Sequence, residues 1–106
     1  MGPDFFSSNP NYAHQTLNYP VNLVDEATQR VLYDMEILIL DNDRTRTGKK
    51  IKGTTIDFDL LIELEALNSK TTRMRVKVRN GVTETGKPAA AEIIQNTRLM
   101  LNDFAE

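Results

Sequence analysis

The chain has 106 residues, 40% of them hydrophobic and 26% charged, with 13 basic against 15 acidic side chains and a net charge of −2. That length suits one domain with a core of its own, and the near-balanced charge singles out neither nucleic acid nor an anionic membrane as a partner. Cysteine is absent, which excludes disulfides, zinc–thiolate sites and thiol nucleophiles and leaves the redox compartment open; the longest apolar runs are a few residues, too short for a transmembrane segment.

Residues 1–14 read as an irregular N-terminal arm. Pro3, Ser7, Ser8, Asn9, Pro10 and Asn11 are turn formers without a period. Its opening, Met1 to Phe6, lacks the basic region and apolar stretch of an intact signal peptide. Phe5, Phe6 and Tyr12 stand out as aromatics that either fold back on their own domain or dock on a partner. A single α+β domain is expected over residues 15–106.

A short strand from His14 to Tyr19 is expected to end at Pro20, followed by a helix. Asn22 suits its N-cap, and Asp25 and Glu26 would then occupy the first turn, where carboxylates favour the helix dipole. Val24, Ala27, Val31, Leu32 and Met35 recur at spacings of three and four and predict one buried stripe. Glu36 to Leu40 reads as a strand. Its four consecutive apolar residues, Ile37 to Leu40, predict cover on both faces rather than a bare edge. Asp41 to Lys50 reads as a polar loop.

From Thr54 to Ala66 the even positions carry Ile56, Phe58, Leu60, Ile62 and Leu64, while the odd ones include Asp57, Asp59, Glu63 and Glu65. That alternation predicts one long strand with an apolar face. Asn68, Ser69 and Lys70 interrupt it, and Arg73, Met74, Arg75, Val76, Lys77, Val78 and Arg79 then alternate without a break. The simplest arrangement is a hairpin in which Leu67 faces Thr71. Leu64 then meets Met74, Ile62 meets Val76 and Leu60 meets Val78 on the inner face. On the outer face Glu65 meets Arg73, Glu63 meets Arg75 and Asp59 meets Arg79. Lys77 faces Leu61 and is the least compensated cation of the ladder.

Gly81 to Gly86 reads as a turn and Pro88 as the first residue of a closing helix, with Ala90, Ile93, Ile94, Thr97, Leu101 and Phe104 as its buried stripe. Two amphipathic helices on one face of a mainly antiparallel sheet make an α+β two-layer sandwich of order β-α-β-β-β-α.

The residues that could carry chemistry are few. Gly81 to Lys87 matches a phosphate-binding loop up to its last position, where Pro88 stands in place of the magnesium-binding hydroxyl. His14 is the only histidine, with no metal-ligating neighbour in sequence. Asp41 and Asp43 flank Asn42 like the start of a calcium loop, but the required glycine and distal glutamate are missing. Arg73, Arg75, Lys77 and Arg79 could track a phosphate backbone. Sheet-based nucleic-acid binders add aromatics for base stacking, and none lies between Thr71 and Gly81.

Ala27-Thr28 and Val31-Leu32, then Thr72 with Met74-Arg75-Val76, then Gly81 and Ile93-Ile94 with Leu101, follow a recognisable pattern. From Val24 to Leu101 the chain resembles a family of small bacterial proteins with a domain of unknown function, many of them predicted envelope lipoproteins. The resemblance implies the same helix, Thr-x-apolar-Arg-Val strand, glycine turn and closing helix. It implies the cell envelope or periplasm as the setting, with the cytoplasm left open. The family's lipid-bearing cysteine has no counterpart here, and the resemblance implies no activity.

These readings lead to a non-enzymatic interaction or scaffold domain with a protein partner, without catalytic residues, cofactor or metal. Phe5, Phe6, Tyr12 and Lys77 are its candidate partner-binding residues. Two alternatives stand beside it: nucleic-acid or anion binding through Arg73, Arg75, Lys77 and Arg79, and an enzyme or phosphate binder using the Gly81–Lys87 turn.

Overall fold

The computed structural model describes residues 12–79 and 83–105. Strand β1 (Tyr12–Leu17) leads to helix α1 (Val21–Asp34), then strands β2 (Leu38–Arg44), β3 (Gly48–Thr54), β4 (Asp59–Asn68) and β5 (Thr71–Arg79), and finally helix α2 (Thr83–Ala105). The strands form one antiparallel sheet in the order β1-β5-β4-β3-β2. Both helices pack on the same face, α2 over β1 and β5 and α1 over β4 and β2. The architecture is the expected α+β sandwich, with one strand more than the sequence reading contains.

The β4–β5 hairpin is the centre. Leu60, Ile62 and Leu64 stand opposite Val78, Val76 and Met74, and all six are buried. They meet Val24, Ala27 and Leu32 of α1 and Ala90, Ile93 and Leu101 of α2 in one apolar cluster. Full burial of such a side chain contributes about 1.5–3 kcal/mol, so the alternation in β4 and β5 converts directly into core. Thr28 and Thr97, buried in this layer, donate their hydroxyls to the Val24 and Ile93 carbonyls one turn back at 2.7 and 2.8 Å. The register agrees with the sequence reading from Asp59↔Arg79 to Ala66↔Thr72. A bulge between Ala66 and Asn68 then pairs Asn68, rather than Leu67, with Thr71. The Asn68 side chain accepts the Lys70 N–H at 2.8 Å and closes the turn.

Several local expectations are corrected. Strand β1 begins at Tyr12, so Tyr12 to His14 belong to the sheet rather than to the arm. Helix α1 is entered through Pro20, whose carbonyl accepts from Leu23 and Val24 N–H at 3.0 Å. Asn22 is thus a helical residue and no acidic side chain lies in the first turn. The long strand from Thr54 is broken at Thr55 to Phe58. There the Thr55 hydroxyl accepts the Asp57 and Phe58 N–H groups at 3.0 and 3.1 Å, and the Thr55 N–H bonds the Phe58 carbonyl. Those three bonds satisfy the backbone locally, which lets the chain reverse despite the alternating pattern. The expected loop from Asp41 to Lys50 instead forms the end of β2, the turn at Thr45 to Thr47, and the start of β3. Helix α2 begins at Thr83, which makes Pro88 its sixth residue rather than its first. Lacking an N–H, Pro88 forgoes one intrahelical bond near the helix start.

The largest correction concerns β2. It is an edge strand, not an interior one. The run of apolar residues is divided by a bulge between Ile39 and Asp41, so that Leu38 and Leu40 are 63% and 57% exposed while Ile39 packs against the core. Ile37 is buried ahead of the strand. It belongs to the end of α1, where Ile37 N–H bonds the Leu32 carbonyl at 2.9 Å and Glu36 N–H bonds the Tyr33 carbonyl at 3.0 Å. This is a Schellman closure, with Glu36 at φ 60° in the position that usually holds glycine.

Two stability changes follow from the backbone. An L-residue in the left-handed region costs about 1 kcal/mol or somewhat more, so Glu36→Gly is expected to raise unfolding stability by up to about that amount in urea titrations. Gly48 has no room for a side chain, because a Cβ there would overlap the Leu64 carbonyl oxygen on the neighbouring strand. Gly48→Ala is expected to cost about 1–3 kcal/mol, seen as a lower urea midpoint with an unchanged slope.

Candidate functional site

The outer face of the sheet, away from the helices, gathers most of the sequence candidates. The pairings create rows that cross the strands. One runs Asp43, Lys50, Glu63, Arg75, His14, and the next runs Asp41, Lys52, Leu61, Lys77, Tyr12. Charge alternates along the first row from strand to strand. Arg75 lies 3.9 Å from Glu63 and 3.7 Å from Glu65, and Arg73 lies 3.7 Å from Glu65. Half-exposed pairs of this kind contribute about 0.2–1 kcal/mol each, toward the lower end where solvent screens them. They also hold two of the four ladder cations against carboxylates of the next strand. Asp57 takes no part, because it sits in the turn before β4.

Lys77 differs from Arg73 and Arg75. It stands between Leu61 and Tyr12 on the exposed face, and among the described residues no ion pair includes it. The structure therefore brings two of the four partner-binding candidates, Tyr12 and Lys77, side by side. The Tyr12 ring lies 5.7 Å from that of His14 at 38°. Phe5 and Phe6 lie outside the described residues, as do Gly81 and Val82, while Thr83 to Lys87 are helical.

The other face of β2 carries a polar cluster that sequence reasoning missed. Lys49, at an inward position of β3, places its Nζ 3.5 Å from Oδ2 of Asp25 on α1. Gln29 donates to Asp25 Oδ1 at 3.1 Å, and Asn42 reaches the same atom at 3.5 Å. Asp25 is only 9% exposed, and these donors offset the cost of burying its charge. Asn42 Oδ1 is buried and finds no partner among the described residues. A cleft of about 520 Å³ opens beside the cluster, with Arg30, Tyr33 and Arg44 on its walls. The Asp41-Asn42-Asp43 triplet makes no joint site: its members alternate between faces, with the aspartates outward and Asn42 inward. Among the described residues no group of three His, Asp or Glu side chains is placed to hold a metal ion.

At the opposite end of β2 the surface is apolar. Ile56, at the tip of the β3–β4 turn, is fully exposed at 101%. It borders a cleft of about 860 Å³ lined by Met35, Ile37, Leu38, Phe58 and Ala89, with Glu36, Asp57 and Glu92 also on its walls. The sequence signals for this surface are the apolar run Ile37 to Leu40 and the alternation through Ile56, both of which predict burial. The outer edge of β2 pairs with no other strand among the described residues. Edge, exposed leucines and cleft are thus contiguous, which is a combination suited to an extended segment of another chain.

The balance on the basic ladder has a direct test. Neutralising its carboxylates in a Glu63→Gln/Glu65→Gln variant is expected to delay elution from a heparin column at low ionic strength relative to the native chain. Identical elution of the two proteins would show that these carboxylates do not mask the arginines. No protein-family model matches this sequence, and no curated protein matches it either.

Proposed function

We propose that this chain is a non-enzymatic interaction domain that receives a protein partner along the outer edge of β2 and the apolar cleft at its Leu38 end. The observation that carries this reading is the exposure of Leu38, Leu40 and Ile56 beside a strand edge that pairs with no other strand among the described residues. Soluble folds usually blunt such an edge, and contiguous exposed apolar surface around it marks a contact surface. The charge-paired ladder on the outer face supports a protein partner over nucleic acid, because Arg73 and Arg75 already face carboxylates. We further propose the bacterial envelope as its setting, on the resemblance carried by Ala27-Thr28, Thr72 to Val76 and Ile93-Ile94 alone.

The test compares tagged native chain with a Leu38→Lys/Ile56→Lys variant and with a chain lacking residues 1–11. Both substituted side chains are solvent-exposed, so the thermal midpoint is expected to move by only a few degrees. Quantitative co-purification should show partners of the native chain reduced at least tenfold by the double substitution. An unchanged partner set would overturn the assignment to β2, and loss only on removal of residues 1–11 would transfer the role to Phe5 and Phe6.

A further inference from the structure

The charge rows on the sheet have an unfinished end. Along the first, Asp43 of β2 faces Lys50 of β3, which faces Glu63 of β4, which faces Arg75 of β5. Along the second, Asp41 faces Lys52. On the far side of β2 both aspartates meet no strand among the described residues, both are exposed, and neither forms an ion pair there. A side chain in a sheet has two cross-strand neighbours, and opposite charges are favoured at each while like charges are disfavoured.

We propose that β2 selects a strand with basic residues at alternate positions followed by an apolar one, reading Lys/Arg-x-Lys/Arg-x-apolar, antiparallel to β2. This rests on the edge reading above and specifies the chemistry of the partner. The template is β3 itself. Its Lys50, Lys52 and Thr54 face Asp43, Asp41 and Leu38, and an incoming strand would repeat that pattern on the other side, with an apolar side chain in place of Thr54. That last residue lies next to Leu38 at the mouth of the 860 Å³ cleft. Two cations on one side and two on the other then surround Asp41 and Asp43.

The same aspartates disfavour a second copy paired through the centre of β2. Two β2 strands placed antiparallel about a twofold axis bring aspartate toward aspartate: an axis through Asn42 sets Asp41 against Asp43 twice, and an axis at Asp41 or Asp43 sets that residue against itself. Each such contact is repulsive, and an isologous interface repeats it by symmetry. The bulge at Leu40 contributes by turning both aspartates to the outer face together.

The probe is the labelled peptide Thr-Lys-Val-Lys-Val-Leu-Thr, with Thr-Glu-Val-Glu-Val-Leu-Thr and a scramble holding adjacent lysines as comparisons. Binding is followed by fluorescence anisotropy and by amide chemical shifts in the full chain, with sedimentation to give its oligomeric state. The alternating basic peptide is expected to bind at least tenfold more tightly than either comparison, with shifts confined to residues 38–44 and 55–58. An Asp41→Lys/Asp43→Lys variant should reverse the preference between basic and acidic peptides. Equal binding of all three peptides at β2 would overturn the charge selection and leave the edge reading standing. No binding of any peptide at 1 mM, or shifts at β1 instead, would overturn both. A concentration-dependent dimer with shifts at β2 would make a second copy the occupant and overturn the proposal.

Discussion

The inner row of the β4–β5 hairpin is the constraint from which the rest of this fold follows. Leu60, Ile62 and Leu64 against Val78, Val76 and Met74 face the core together only in registers of one parity, because a slip of one residue would turn the slipped strand's apolar set to water and its charges to the core; the short bulged turn at Asn68 selects the register among these. Once that register is set, the outer face is set as well. Glu63 and Glu65 have to stand beside Arg73 and Arg75, and Lys77 has to stand beside Leu61. The surface chemistry of the sheet is therefore a by-product of core packing.

From this centre the two flanks are built differently. Toward β1, the connection is made by Thr72, whose hydroxyl donates to the Tyr19 carbonyl at 2.8 Å, and by the Tyr19 hydroxyl, which donates to Asn102 of α2 at 2.7 Å. These bonds tie the chain between β1 and α1 to the hairpin and to the closing helix. Toward β3, the inward positions are Lys49, Ile51 and Gly53, of which only Ile51 is a large apolar side chain. That flank stays in the fold because Asp25 meets Lys49 and because the Gly53 position admits Ile37 closely. Its core contribution is smaller, so its outermost strand is the one that exposes leucines.

The parts of the fold that were legible in the sequence are those where a single period dominates. The alternation of β4 and β5 and the stripes of both helices state which residues face inward, and the structure places them there. Strand β3 was not legible, since Gly48, Lys49, Lys50, Lys52 and Gly53 have poor strand propensity and are held by neighbours on both sides rather than by their own pattern. The turn at Thr55 was masked by an accidental continuation of the alternation through Ile56. The polar cluster depends on Asp25, Asn42 and Lys49, which come from three elements and share no spacing. Of the candidate contact residues, Tyr12 and Lys77 meet only because β1 lies beside β5, an adjacency that no local pattern expresses.

The bulge at Leu40 behaves as a reading-frame shift written in three dimensions. Upstream of it odd-numbered Ile39 points to the core; downstream the even-numbered Asn42 does. Without Leu40 the ladder would be regular, Ile39 opposite Gly53 and Asp41 opposite Lys52, and both aspartates would keep the outer face. Drawn out straight with Leu40 in place, β2 would instead turn Asp41 and Asp43 beneath the helices and bring Asn42 and Arg44 to the outer face, without altering a single charged residue. In a family built on this sheet, loss or gain of the bulge at constant strand length would thus be a more abrupt change of recognition than several substitutions on the face of β2.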